Sequence, residues 1–424
     1  MTRCYTKEDI FRLVEEEDVE FIRLQFTDIY GNLKNMAVTS SQLDKALDGK
    51  CRFDAEAIED YTGDTENSMY LIPDLDTFEI FPWRPQQGKV ARLFCDVYTM
   101  EGQPYEGDPR YVLKKAIEEA EAMGYEFDVG PECEFFLFNT DENALPTTNT
   151  NEKAGYFDCG PSDFGENARR DIVLTLEQMD FTIESSHHEK APAQHEVDFQ
   201  YATALKTADN IQTFKLAVKT IAKRHGLHGT FMPKPRPDVN GSGMHINMSL
   251  VKDGRNVFFD AKDPNGNNLS DEAYYFLGGI AKHIKAITAI CNPLVNSYKR
   301  ILNNNKLIFM IPSGDEKSTR IEFRSPDPSA NPYLALAAIL TAGLQGIKDK
   351  TQPPKGVLTK WSAANGVLPI TLADAISELQ RDTVIKDALG ATLLRNYVNV
   401  KNKEWNLYCS QVTDWETDQY LDKY

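Results

Sequence analysis

Residues 125–138 read YEFDVGPECEFFLF. Aromatic and β-branched residues favour extended chain, and in a strand residues two apart point to the same side. Glu132 and Glu134 therefore share one face. Three more stretches repeat this arrangement. His195–Tyr201 places Glu196 with Asp198, and Glu189 lies just upstream in SSHHE. Gly243–Val251 sets His245, Asn247 and Ser249 opposite Met244, Ile246, Met248 and Leu250. Thr319–Arg324 sets Arg320, Glu322 and Arg324 opposite Ile321 and Phe323.

Taken singly, each polar face has an ordinary explanation. Two glutamates on a strand are by default a solvated sheet face, and Arg-x-Glu-x-Arg is a cross-strand ion-pair ladder. Converging, they bring five glutamates and one histidine into one site. Two like charges about 4 Å apart cost about 4 kcal/mol at an effective dielectric of about 20. Several such pairs exceed a typical net stability unless cations neutralise them. A carboxylate-rich set with one imidazole favours Mg²⁺ or Mn²⁺ over structural zinc. Paired hard cations beside arginines point to phosphoryl transfer, where positioning and charge stabilisation supply most of the catalysis. Between these strands, NGSGMH at 240–245 combines an Asn-Gly turn with two glycines that allow close backbone approach to a ligand, and Lys234-Pro-Arg-Pro before it forms a rigid cationic loop. No Walker lysine motif or dinucleotide fingerprint is present.

The 424 residues carry a formal net charge of −18, which argues against nucleic-acid and anionic-membrane partners. Seven scattered cysteines without a CxxC fit a reduced, cytoplasmic protein. The N-terminus has no apolar signal region, and the most apolar stretch, Leu334–Leu344, is too short to cross a bilayer. The first hundred residues read as a small α+β unit: Thr6 with Asp9 caps a helix to about Glu17, and strands follow at Glu20–Phe26, Leu33–Val38 and Val90–Val97. Asp108 as N-cap and Pro109 as first helical residue start a helix that Gly124 ends. The expected domains are 1–104 and 105–424. Later helices are expected at Glu166–Met179, Ala208–His225, Glu272–Ile290, Pro332–Ile347 and Leu372–Ala388.

These residues, in this order, resemble the class I glutamine synthetases. The similarity runs through MYLIPDLDTFEIFPW (69–83), GPECEFFLF (130–138), GYFDCGPSD (155–163), RRDIV (169–173), SSHHEKAPAQHEVDF (185–199), HGTFMPKP (228–235), NGSGMH, NPLVNSYKR (292–300), STRIEFRSPDPSANPYLAL (318–336), KEWNLY (403–408) and DQYLDKY (418–424). The resemblance implies an N-terminal β-grasp domain and a larger glutamine synthetase/guanido kinase-like catalytic domain on a curved antiparallel sheet with flanking helices. It implies an ATP-dependent ligase that activates the glutamate γ-carboxylate as an acyl phosphate and forms an amide with ammonia. It also implies a homododecamer of two hexameric rings, with each site shared between subunits.

By matching motif, Glu134, Glu189 and Glu196 would hold a first Mg²⁺ or Mn²⁺, and Glu132, His245 and Glu322 a second. Asn240, Gly241, Arg300 and Arg324 would hold glutamate; Asn247, Ser249, Lys317 and Arg320 would face the nucleotide. Asp54, in FDAEAI where the family has FDGSSI, would bind and deprotonate ammonium. The chain also departs from the pattern. After Arg300 the family's Pro-Gly-Tyr-Glu-Ala-Pro flap is absent, with Asn303-Asn304-Asn305 there instead; two family arginines are missing, Met310 standing at one of their positions. The tyrosine segment that some members adenylylate is missing between Lys350 and Leu368, and Gly63 replaces an arginine that some use in feedback inhibition. Arg236, Asp315 and Glu316 are the candidate replacements. Without the flap the donor could be a small amine, and the alternative is a non-catalytic paralogue that binds metal, nucleotide or glutamine as a sensor or partner subunit.

Overall fold

The computed structural model describes residues 4–61, 68–84, 87–302 and 306–424. Gly63 and the Asn303-Asn304-Asn305 turn lie outside the described residues. Six strands form the first sheet: β1 (Val19–Thr27), β2 (Leu33–Thr39), β3 (Cys51–Asp54), β4 (Ser68–Pro73), β5 (Glu79–Ile80) and β6 (Lys89–Tyr98). Their order is β2-β1-β6-β4-β3, with β5 beside β6. The β1–β6 pair is parallel and the other pairs are antiparallel. Alternate residues of the central strands, such as Ile22, Leu24, Leu71, Leu93 and Val97, build one apolar core, onto which α1 (Lys7–Glu16) places Ile10 and Val14. Thr6 and Asp9 form a capping box at its start. α2 (Leu43–Leu47) lies between β2 and β3.

The chain passes to the second sheet through α3 (Pro109–Ala122), where Asp108 caps the Arg110 amide and Pro109 stands at the first turn. The second sheet contains β7 (Glu126–Asn139), β8 (Ile183–His188), β9 (Gln194–Phe199), β10 (Ala202–Thr203), β11 (Leu227–Thr230), β12 (Met244–Lys252), β13 (Arg255–Asn256), β14 (Phe309–Met310) and β15 (Ile321–Phe323). Its main path is β14-β15-β12-β7-β9-β8, and every pairing among the described strands is antiparallel. Helices α4 (Glu166–Glu177), α5 (Ala204–Arg224), α6 (Asp271–Cys291), α7 (Val295–Ile301), α8 (Pro332–Asp349), α9 (Leu372–Arg381), α10 (Thr383–Leu389), α11 (Ala391–Cys409) and α12 (Asp414–Tyr420) complete the chain. Phe127, Val129, Cys133, Phe135 and Leu137 of β7 join Met244, Ile246, Met248 and Leu250 of β12 in the apolar core beneath these helices. The architecture is α+β. All seven cysteines are free, and no described helix is long and apolar enough to cross a membrane.

Two expected elements come out shorter or divided. The strand expected over Thr319–Arg324 spans only Ile321–Phe323. The helix expected over Leu372–Ala388 is broken at Asp382, whose extended backbone (φ −81°, ψ 112°) ends α9 while its carboxylate caps the Ile385 amide of α10. His283 holds the other carboxylate oxygen at 2.7 Å, so the break is fixed from both sides.

Candidate active site

Strand register assembles the site. Across β7 and β12, His245 stands opposite Glu132; across β7 and β9, Glu132 faces Asp198 and Glu134 faces Glu196. Across β12 and β15, Asn247 faces Glu322. The four polar faces converge on one surface of the sheet. Glu189 enters from the turn after β8, where its amide donates to the Gln194 carbonyl at 2.7 Å.

Ligand atoms of Glu132, His245 and Glu322 lie within 4.8 Å of one another, as do those of Glu134, Glu196 and His245 and those of His187, Glu189 and Glu196. His245 Nδ1 is 3.0 Å from Glu132 and 3.5 Å from Glu322. Asn247 donates to Glu132 at 2.8 Å, Arg324 pairs with Glu322, and Gln194 donates to Glu134 at 2.8 Å. His187 bridges Glu196 at 3.2 Å and Glu189 at 3.6 Å.

Charge balance is poor here. Burial first, and then Glu134, Asp198 and Glu132, push the Glu196 carboxyl up to about 9. Burial and Glu132 lift Asp198 to about 6. Burial opposes a charge on His187, yet the hydrogen bonds to Glu189 and Glu196 raise it to about 10. A face that holds protons against its carboxylates has the donor set of a hard-cation site: many oxygens, one imidazole, and too few internal cations. The residues fit two divalent ions.

A cavity of about 60 Å³ opens on one side of this face, lined by Glu134, Lys234, Asn240, Gly241, Gly243, His245, Arg300, Lys306 and Arg324. All four residues expected to hold glutamate are among them. A second cavity, about 550 Å³, is lined by Glu132, Asp198, Asn247, Ser249, Lys317 and Arg320 among others. All four residues expected at the nucleotide are in it. Glu134 and His245 border the first cavity and Glu132 the second, so the carboxylate face separates the two.

Gly241 and Gly243 of NGSGMH line the first cavity and also pack tightly against the chain's own groups. A Cβ on Gly241 would meet the Pro233 carbonyl oxygen at 2.2 Å, and one on Gly243 would meet Arg300 Nη2 at 2.7 Å. At both positions a side chain would collide with the chain's own groups, so glycine is required there. Arg300 is fixed behind them, donating to the Ser325 carbonyl at 2.7 Å and the Arg324 carbonyl at 3.2 Å.

Asp54 is not brought into this group. It is exposed at the end of β3, the edge strand of the first sheet, and lines neither cavity. Arg236 is also elsewhere, bonded through Nη2 to Asp238 at 2.6 Å in an exposed loop. Asp315 is tied up in a turn with Ser318 and the Lys317 amide, and Glu316 beside it is exposed. Neither acid lines a cavity with the cluster. Met310 pairs with Glu322 at the sheet edge, so an uncharged side chain stands there.

Sequence reasoning missed the group beneath the face. Glu152 accepts from His188 Nε2 at 2.8 Å, from the Phe164 amide at 2.8 Å and from the Ala193 amide. His188 Nδ1 donates to the Glu189 carbonyl at 2.6 Å. Both ring nitrogens face oxygens; burial opposes a charge on the ring, yet the bonds to Glu152 and the Glu189 carbonyl raise His188 above the usual imidazole range. Together they pin the turn that presents Glu189. Glu152, His188 and His195 are compact enough to resemble a metal site, but both ring nitrogens of His188 are engaged by Glu152 and the Glu189 carbonyl, and His195 Nδ1 lies 2.8 Å from the Arg169 guanidinium. The group is a brace.

The fold therefore defines a two-domain α+β protein with an acidic, cation-seeking sheet face between two cavities. Family models agree: the glutamine synthetase β-grasp domain matches residues 18–100, and the glutamine synthetase catalytic domain matches 106–420. A glutamine synthetase of Clostridium saccharobutylicum is 54% identical over 99% of both chains, and one of Staphylococcus aureus (strain Mu50) is 52% identical over 100% of this chain and 99% of that one. The chain belongs to the glutamine synthetase family and is a ligase of that type. Among solved structures, a GmaS/ADP complex is 31% identical, covers both chains completely and superposes with a TM-score of 0.88. Plasmodium falciparum glutamine synthetase, at 24% identity, covers 98% of this chain and 99% of its own with a TM-score of 0.88, a likeness of fold.

Proposed function

We propose that the protein joins a nitrogen donor, ammonia or a small primary amine, to the γ-carboxylate of glutamate at the expense of ATP. The observation that carries this reading is the order of parts: an arginine-lined cavity, the carboxylate–imidazole face, then the larger cavity with Lys317 and Arg320. Asn240, Gly241, Arg300 and Arg324 hold glutamate, with Arg300 orienting it for reaction. Asn247, Ser249, Lys317 and Arg320 face the nucleotide. Glu134, Glu189 and Glu196 would hold one Mg²⁺ or Mn²⁺, and Glu132, His245 and Glu322 the other; bound there, the ions offset charge on the phosphates.

A γ-carboxylate oxygen attacks the terminal phosphorus of ATP. The bond to the bridging oxygen breaks, and ADP leaves with its electron pair. The donor nitrogen then attacks the acyl carbon, phosphate departs with the C–O electron pair, and a proton from nitrogen passes to Asp54. Asp54 comes from a neighbouring subunit in this reading, which its position outside the cluster supports; a homododecamer of two rings is the assembly we infer. We place the domain boundary near residue 104 and the protein in the cytoplasm.

The alignments to the two bacterial relatives run over 442 and 445 positions, so both carry residues that this 424-residue chain lacks. The family's flap motif is missing after Arg300, and in this reading its loss widens the choice of donor. The same shortening favours a second reading, a non-catalytic binder of metal, nucleotide or glutamine. Incubation with glutamate, Mg-ATP and a panel of ammonia, methylamine and ethanolamine, followed by mass spectrometry, separates them. Expected are γ-glutamyl amides, with amines competing well against ammonia. Glutamine with strict exclusion of amines contradicts the donor assignment; no product from any donor favours the binder.

A further inference from the structure

We infer that Asn296 is a positioning residue of the glutamate cavity, holding the 233–242 loop at a fixed place opposite Arg300; this rests on the ligase reading above. Lys234, Asn240 and Gly241 of that loop line the cavity, whereas Asn296 stands behind it. Its side chain grips the loop by the backbone. Oδ1 accepts from the Lys234 amide at 2.7 Å, and Nδ2 donates to the Lys234 carbonyl at 3.0 Å. The carboxamide thus meets both backbone groups of one residue, as a residue of a neighbouring antiparallel strand would.

The loop is closed on itself. The Ser242 amide donates to the Pro233 carbonyl at 2.9 Å, and Lys234 Nζ bonds to the Val239 carbonyl. A loop closed in this way is placed as a unit, by whatever ties it to its surroundings. Gln194 ties its far end, donating to the Gly241 carbonyl at 3.2 Å. Asn296 ties the near end, where Lys234 enters the cavity wall. Asn296 also stands one turn before Arg300 on α7, so the two share a side of the helix. One helix turn therefore holds two walls of the cavity: the 233–242 loop through Asn296, and the 324–325 turn through the carbonyls that Arg300 bonds. The helix is itself anchored. Glu404 of α11 accepts from the Val295 amide at 3.0 Å, and Tyr298 and Ile301 are buried. The two walls meet closely, since a Cβ on Gly241 would lie 3.2 Å from Arg300 Cγ and 3.3 Å from Lys234 Cδ. A shift of the loop would change the space left for glutamate.

Full-length Asn296→Ala and Asn296→Asp proteins test this through three readouts: calorimetric glutamate affinity with Mg²⁺ and ADP present, ADP affinity, and steady-state amide formation. A freed loop is in place only part of the time, and apparent affinity falls by that fraction. Asn296→Ala is expected to weaken glutamate binding about tenfold and to raise the glutamate KM to match, with ADP affinity unchanged. Asn296→Asp keeps the acceptor for the Lys234 amide but turns a second oxygen towards its carbonyl. It should bind glutamate no better than Asn296→Ala. Wild-type glutamate affinity in either variant overturns the inference. Equal weakening of glutamate and ADP overturns it too, because the loss would then be a general loosening of the fold. Wild-type protein that binds glutamate but makes no amide defeats the ligase reading alone, and the affinities still judge Asn296. No glutamate binding by the wild type overturns both.

Discussion

Around Arg110, three aspartates from different parts of the chain converge on one guanidinium. Asp74 lies at 2.6 Å, Asp96 at 2.7 Å and Asp209 at 3.0 Å with a second bond from Nε at 3.2 Å. Tyr333 donates to Asp209 at 2.7 Å, and Lys114 pairs with Asp96. Burial opposes the charge on Asp96, yet Arg110 and Lys114 keep its carboxyl below the usual range. The sheet face with Glu132, Glu134, Glu196 and Asp198 is also largely buried, but its acids outnumber their partners and Glu196 is pushed up to about 9. One cluster is built around a buried cation of the chain's own, Arg110, and joins the first sheet to α3, α5 and α8. The other is left open. Buried acids serve as a joint where the chain supplies the cations and as a receptor where it does not.

The largest effect expected belongs to the joint. Arg110→Met leaves three acids facing each other and should cost about 3–5 kcal/mol, with or without divalent metal, in urea unfolding. An unchanged midpoint would mean that the two halves are not held together here. At the open face the effects should depend on metal. Glu134→Ala should abolish the stabilisation by Mg²⁺, which for the wild type is about 2.7 kcal/mol at a hundred times the dissociation constant. A surviving shift would place the ions elsewhere.

The sharpest contrast is one of sign. Glu196→Gln should stabilise the metal-free protein by on the order of 1 kcal/mol, whereas Asp209→Asn should destabilise it. The pH dependence follows from the raised carboxyl: below the ordinary glutamate value near 4.5 both folded and unfolded states are protonated and Glu196 has no cost. As pH rises towards about 9, the unfolded state ionises first and the folded state loses stability. The advantage of Glu196→Gln should therefore grow between these limits, and a pH-independent difference would break the comparison.

The smallest effect tests a closed pair of a simpler kind. Asp382→Ala should cost about 1 kcal/mol through the lost cap of α10. Burial raises the Asp382 carboxyl, but His283 and the Ile385 amide outweigh it and hold it below the usual value. Its contribution is thus present above about pH 4 and fades as pH falls through the folded value. Denaturation of this variant with unchanged cost at pH 3 would contradict the pairing.

Alternation made much of this legible in advance. The faces carrying Glu132 with Glu134, Glu196 with Asp198, and His245 with Asn247 follow from strand periodicity, and pairing register then brings them side by side. Asp108 and Pro109 marked the start of α3 through local capping chemistry. The brace of Glu152 and His188 carries no such signal, because the partners are 36 residues apart and Glu152 lies in a loop without periodicity. The division of α9 from α10 was hidden because Ile376, Leu379, Ile385 and Leu389 are all buried, so the apolar pattern runs on across Asp382. Only the tertiary bond to His283 reveals the break.

Titration of metal-stripped protein with Mn²⁺, followed by calorimetry, addresses the open face most directly. Two ions per chain are predicted, with proton release, because the carboxyls of Glu196 and Asp198 are held above their ordinary range before the ions arrive. Fewer than two ions per chain at millimolar metal, or binding undiminished by Glu134→Ala, would contradict the reading of this sheet face as a two-cation site.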